Sequence, residues 1–184
     1  MPIYTRTGDK GTTGVIGGGR MSKTDKLAQA LGAIDEANSG MGVCRNEIQN
    51  SNHKFTKIDG ELERAQNNLM TIASGLAGSR KKIRPGEVGH LEKLIDTLTE
   101  QMPKLDKFIY PVGYLQFARA VCRRAEREVV ALLQTPSPVG ASPSLVKEGE
   151  REAVLKYLNR LSDALFTIGR WVNYQTGIRE EKWR

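Results

Sequence analysis

A chain of 184 residues is long enough for one domain with a sizeable buried core. Its formal net charge of +7 favours an anionic partner such as a nucleotide, a nucleic acid or an acidic membrane surface, while aromatic residues at 6% argue against a base-stacking, single-strand-binding surface. No apolar run is long enough to span a bilayer, the first residues lack the basic-then-apolar plan of a secretory signal, and two distant cysteines, Cys44 and Cys122, suit a reducing compartment, the cytoplasm.

The leading segment, residues 1–21, is glycine-rich. Thr5-Arg6-Thr7-Gly8-Asp9-Lys10-Gly11-Thr12-Thr13-Gly14, then Gly17-Gly18-Gly19-Arg20 and Lys23, combine backbone freedom, hydroxyl donors and cations. Those are the groups a polyphosphate needs. The Walker pattern is absent, and a flexible basic leader with glycine turns is the plainer alternative.

From residue 22 to about 177 helical periodicity dominates, within a single domain spanning 1–184. Ser22 with Asp25 offers a start for the first helix, striped by Leu27, Leu31, Ile34 and Met41. Ile58, Leu62, Ala65, Leu69, Ile72 and Leu76 alternate steps of four and three, the cleanest amphipathic pattern in the chain, and Gly75 and Gly78 loosen its end. Pro85 opens a third helix carrying Val88, Leu91, Leu94, Ile95 and Leu98, and Pro103 stops it. Pro111 and Gly113 precede a fourth, with Leu115, Ala118, Val121, Cys122, Ala125, Val129 and Leu132 inward. Thr135–Ser144 reads as an exposed loop, and a last helix runs from about Lys147 to Tyr174. No strand and no internal repeat stand out, so the expected fold is an all-α five-helix bundle with mostly antiparallel neighbours.

Polar residues interrupt three of these apolar stripes. The fourth helix carries Arg119, Arg123, Glu126 and Arg127 on one continuous stripe, with Arg124 beside it. A solvated face of i, i+3 and i, i+4 pairs is one reading. Arginine alone in the cationic positions suits bidentate phosphate recognition better. Asn159 and Asp163 interrupt the last helix, and Asp35 and Asn38 the first. Buried without partners, such groups cost about 1 kcal/mol or more each, so a shared polar site is expected, with Asp35 and Arg119 pairing within a subunit or across an interface.

Other candidates are weaker. Glu87-Val88-Gly89-His90 has an E-x-x-H step with no second copy, so an ordinary surface helix start is expected. His53 falls in a polar linker, Cys122 faces inward as a small core residue, and no Ser-His-Asp or Cys-His constellation can be assembled.

Four blocks together, Tyr4–Gly11 with Lys23, Gly32–Ser39, Val121–Arg127 and Leu158–Phe166, resemble the signature blocks of PduO-type ATP:corrinoid adenosyltransferases, in order and in rough spacing. The resemblance implies a five-helix bundle of the cobalamin-adenosyltransferase (ferritin-like) type, a homotrimer with active sites between subunits. It implies transfer of the 5′-deoxyadenosyl group of ATP to cob(I)alamin, with Mg²⁺ on the phosphates. By that pattern Thr5, Arg6, Thr7, Gly8, Lys10, Thr13, Gly14 and Lys23 hold ATP from the leading segment. Arg123, Arg124, Glu126, Arg127 and Asn159 complete the site, with Glu126 and Asn159 near the Mg²⁺-bound phosphates and Glu126 meeting the metal mainly through them. Asp35 and Arg119 match an intersubunit ion pair and, with Arg123 and Glu126, the catalytic groups. Phe108 and Asp163 match the corrinoid side. A cob(II)alamin reductase and an adenosylcobalamin-dependent mutase are the implied partners.

The chain departs from that family pattern after Phe108-Ile109-Tyr110-Pro111: the following loop is several residues shorter, and Gln116 stands where histidine is common. The shortened loop keeps open an ATP-binding regulatory bundle without corrinoid chemistry. The clustered arginines keep open a basic helical nucleic-acid-binding module, although Glu126 and Asp163 among them favour a compact site over a phosphate-tracking stripe.

Overall fold

The apolar steps of three and four become five helices. A computed structural model describes residues 3–16, 18–51, 55–134 and 148–184. Its helices are α1 (Lys26–Asn50), α2 (Thr56–Leu76), α3 (Glu87–Thr99), α4 (Tyr114–Gln134) and α5 (Glu148–Gln175). Helix α1 packs on α2 and α4, and α5 packs on α4 and α3. The fully enclosed centre contains Met41, Leu69, Cys122, Val129, Tyr157, Leu158 and Leu165. Each buried aliphatic side chain there contributes about 1.5–3 kcal/mol of transfer free energy, which is what holds the helices together. The expected loop Thr135–Ser144, His53, Gly17 and Lys147 lie outside the described residues.

The expectation of no strand is corrected. Residues Thr12–Gly14 (β1) and Arg20–Ser22 (β2) pair antiparallel, with Thr13 opposite Met21. Three-residue strands are too short for alternation to register in a sequence. What closes them is the turn: Val15 N–H donates to the Gly19 carbonyl at 3.0 Å, and Gly18 sits at φ +90°, open to glycine without steric cost. Ser22 therefore ends β2 rather than starting a helix. Its N–H donates to Asp25 Oδ2 at 3.0 Å, and α1 begins after Asp25.

Glu87 is also not a surface residue. It is buried, and Arg64 grips it with two bonds of 2.8 and 3.0 Å. Asn68 donates to both Glu87, at 2.8 Å, and the Tyr157 hydroxyl, at 3.0 Å. Glu87 opens α3, and its partners Arg64 and Asn68 both reach it from α2. His90 Nε2 meets Glu61 at 2.6 Å on the same contact. Among the described residues no group of three or more His, Cys, Asp or Glu could hold a metal.

Two extended pieces finish the chain. Residues ahead of α4 run past Phe108, and residues after α5 return alongside them, joined by an antiparallel bridge between Ile109 and Lys182.

Candidate active site

Helix α4 presents its polar stripe towards α5. Arg123, Glu126 and Arg127 together with Asn159 line a cleft of about 360 Å³. Asn159 Nδ2 donates to Glu126 Oε1 at 3.1 Å, so the polar interruptions of the two helices do meet. Arg127 Nη1 reaches the Arg123 carbonyl at 3.3 Å. Two exposed guanidiniums beside one carboxylate leave the cleft net cationic, the electrostatics a polyphosphate needs.

The α1 interruption behaves differently. Asp35 is exposed, and among the described residues it forms no ion pair with Arg119, so the pairing expected within a subunit is not made. Instead its neighbour Glu36 pairs with Arg124 of α4. The main-chain carbonyl of Asn38 accepts a 3.0 Å bond from Gln66 Nε2 of α2, while its side-chain Oδ1 is buried with no hydrogen-bond partner among the described residues. Sequence reasoning missed Glu36, whose only signal was its place one residue after Asp35.

Arg119 is half-buried and held by Gln116. Its Nε donates to Gln116 Oε1 at 2.9 Å, while Gln116 Nε2 donates to the Phe166 carbonyl at 3.2 Å. Gln116 is itself buried, and it fits because Gly169 has no side chain: a Cβ there would lie 2.8 Å from Gln116 Nε2. Gln116 thus orients the stripe's first arginine.

The leading segment folds as a preformed loop. Arg20 donates to Thr12 Oγ1 at 2.8 and 3.0 Å, to the Thr12 carbonyl at 3.1 Å and to the Thr7 carbonyl. Thr5 and Thr7 hydroxyls are 2.9 Å apart. Arg6 adopts φ +59°, uncommon for a residue with a side chain, and its guanidinium stacks 5.5 Å from the Tyr4 ring. Lys23 Nζ lies over Gly8, 3.3 Å from where a Cβ would stand. Lys10, Thr13 and Gly14 are in the same loop and hairpin. None of these residues lines the α4 cleft of its own chain. Arg20, which the sequence marked only as one more cation, is the residue that organises the loop.

Phe108 is 80% exposed and borders a second, open cavity of about 540 Å³ with Leu105, Trp183 and Arg184. Asp163 is elsewhere. It accepts a 2.8 Å bond from Arg160, which also reaches Glu92 of α3.

Comparison with known proteins gives these features a context. The cobalamin adenosyltransferase family model matches residues 3–172. The chain is 39% identical over 195 residues to the corrinoid adenosyltransferase MMAB of Bos taurus, covering 97% of this chain and 74% of that protein. It is 40% identical over 187 residues to the corrinoid adenosyltransferase of Bacillus subtilis, covering 97% and 90%. A solved variant of the PduO-type ATP:corrinoid adenosyltransferase from Lactobacillus reuteri, complexed with cobalamin and ATP, superposes with a TM-score of 0.85 at 32% identity, over 100% of this chain and 99% of that one. With one family model running from the threonine loop through the arginine stripe and most of α5, the chain belongs to the cobalamin adenosyltransferase family.

Proposed function

We propose that this chain transfers the 5′-deoxyadenosyl group of ATP to cob(I)alamin, forming adenosylcobalamin and releasing triphosphate. The observation that carries the proposal is the cationic α4–α5 cleft, with Arg123 and Arg127 beside the Glu126–Asn159 pair. Cobalt in its lowest oxidation state supplies the electron pair for the new Co–C5′ bond. The C5′–O bond breaks, and its pair leaves with triphosphate. No protein nucleophile is required, and both thiols are buried. The protein's work is to place C5′ before the cobalt and to stabilise charge gathering on the leaving group, which suits Arg123, Arg124, Arg127 and Lys23.

Glu126 fits a part in Mg²⁺ binding: a single carboxylate, steadied by Asn159, suits an ion held mainly by substrate phosphates. The ion would neutralise phosphate charge there. Thr5, Arg6, Thr7, Gly8, Lys10, Thr13, Gly14 and Lys23 bind ATP from the leading loop. Because that loop does not line its own chain's cleft, the site is completed by a neighbouring copy in a homotrimer, and Asp35 meets Arg119 across the same boundary. Phe108 crowds the lower corrin face and keeps water from the axial position, while Asp163, which lies apart from Phe108 within one chain, serves the corrinoid side from another copy. A cob(II)alamin reductase would supply the reduced substrate and an adenosylcobalamin-dependent mutase would use the product. Two buried, unpaired thiols fit the cytoplasm.

The test is anaerobic mixing of the protein with ATP and chemically reduced cobalamin, following the cobalt–carbon chromophore. ATP binding without chromophore would instead support a nucleotide-binding bundle that lacks corrinoid chemistry.

A further inference from the structure

We propose that the cavity between the end of α2, the loop at residues 79–86 and the start of α5 binds an amphipathic anion, an acyl chain of about eight to ten carbons ending in a carboxylate. The cavity has a volume of about 450 Å³. None of its lining residues belongs to the ATP or corrinoid groups named above, and it shares no wall with the α4–α5 cleft or the Phe108 cavity. On α5, Asn159 turns to Glu126 of α4, whereas Ala153 and Lys156 line the side that faces the end of α2.

The floor of the cavity is apolar. Ile72, Leu76 and Val154 are buried core residues, and Ile83 and Val88 pack against that core. The rim is cationic, with Lys81, Lys82, Arg84 and Lys156 set against Glu150 and Glu152. Both carboxylates are already engaged: Lys82 pairs with Glu150, and Lys156 pairs with Glu152 at 2.7 Å. Lys81 and Arg84 form no ion pair among the described residues, so positive charge is left over at the mouth of an apolar hollow. A hydrocarbon chain removes the floor from water, and a carboxylate head meets the spare cations.

The loop that carries those cations is fixed before any ligand arrives. The Lys81 carbonyl lies so close to α2 that a Cβ on Gly75 would stand 2.9 Å from it. Ser79 N–H donates to the Ser74 carbonyl at 3.0 Å, and Lys81 N–H donates to Ser79 Oγ at 3.2 Å. Arg80, Lys81, Lys82 and Arg84 therefore stay together despite their like charges, and an anion relieves the repulsion. Ile83 sits among them and is half-buried against the core, so one loop offers both the charge and the apolar contact. A bare anion would leave the floor wet, and a cationic chain would add to the repulsion at the rim. Only a molecule with both parts satisfies the site.

Isothermal titration calorimetry of the full chain with sodium decanoate, kept below its micellar range, tests this. Decanoate should bind saturably at one per chain, and acetate and decyltrimethylammonium should bind about ten-fold more weakly or not at all. The double change Lys81→Glu with Arg84→Glu should weaken decanoate about ten-fold or more. Ala153→Trp, which fills the hollow from α5, should do the same. In both variants the ATP and cobalamin KM should stay within about two-fold of wild type. Thermal melts check the fold, and if Ala153→Trp melts early the charge variant decides. Absence of saturable binding, or binding unchanged in the charge variant, would overturn the site. Equal binding of decyltrimethylammonium would show a merely apolar groove, and displacement of decanoate by equimolar inorganic phosphate would show a simple anion site; either result rejects the amphipathic class.

Discussion

Asn159 of α5 donates a 3.1 Å hydrogen bond to Glu126 of α4, joining two polar residues that lie 33 positions apart. That bond turns two separate interruptions of apolar stripes into one cleft, with Arg123 and Arg127 at its edge. The carboxylate is held by a neutral amide rather than by an arginine, so the neighbouring guanidiniums keep their charge available for a ligand.

Arg123→Ala should raise the ATP KM by about ten-fold or more, the scale of one lost charge-assisted hydrogen bond. Asn159→Ala should have a smaller effect in the same direction, by releasing Glu126. Steady-state kinetics at saturating corrinoid checks both, and an unaltered ATP KM in Arg123→Ala would take that residue out of the site.

Arg119 depends on Gln116, and Gln116 depends on the space above Gly169. Gly169→Ala must push Gln116 or Leu115 aside, since the new Cβ would lie 2.8 Å from one and 3.3 Å from the other. Overpacking of this kind costs about 1–3 kcal/mol. Gln116→Ala should lower turnover while leaving the ATP KM close to wild type. Denaturant melts of the first variant and kinetics of the second are the measurements; a Gln116→Ala enzyme with full turnover would free Arg119 from this dependence.

The Arg64–Glu87 contact predicts an acid-sensitive term in stability. The hydrogen-bonded Arg64 guanidinium holds the Glu87 carboxyl below its ordinary value of 4.5, against the opposing effect of burial. A lowered folded value means that the contribution is complete above about pH 4.5 and is lost as pH falls through the folded value. Glu87→Gln should therefore cost about 1–3 kcal/mol at pH 7, discounted because Arg64 is half-exposed. The gap between wild type and variant should narrow below pH 4.5 in denaturant melts; a gap independent of pH would refute the assignment.

Neither thiol should react in the native protein. Burial pushes Cys44 up to about 11 and Cys122 up to about 12, and both are almost wholly enclosed. Alkylation at pH 8 should track global unfolding, and rapid labelling of the folded protein would show that the core opens locally.

The bundle was legible because it rests on local periodicity. Leu62, Leu69 and Leu76 could face only one way on a helix, and they are buried as that spacing required. The arginine stripe of α4 was legible for the same reason. The small hairpin was not, because three residues per strand carry no pattern and its turn geometry rests on one glycine torsion. Glu87 looked like a surface residue because helical spacing reports only its own helix, whereas Arg64 and Asn68 reach it from α2. The meeting of Glu36 with Arg124, where an Asp35–Arg119 pair was expected, depended on how α1 is turned against α4, which no single stripe encodes.

By itself, then, the sequence determined which residues are helical, which faces are apolar and where cations gather, since each follows from side-chain spacing along one element. Tertiary structure decided which polar groups meet: Glu126 with Asn159, Gln116 with Arg119, Arg170 with Glu180. Such contacts depend on how one element is turned and shifted against another, and that is set by the packing of the whole core.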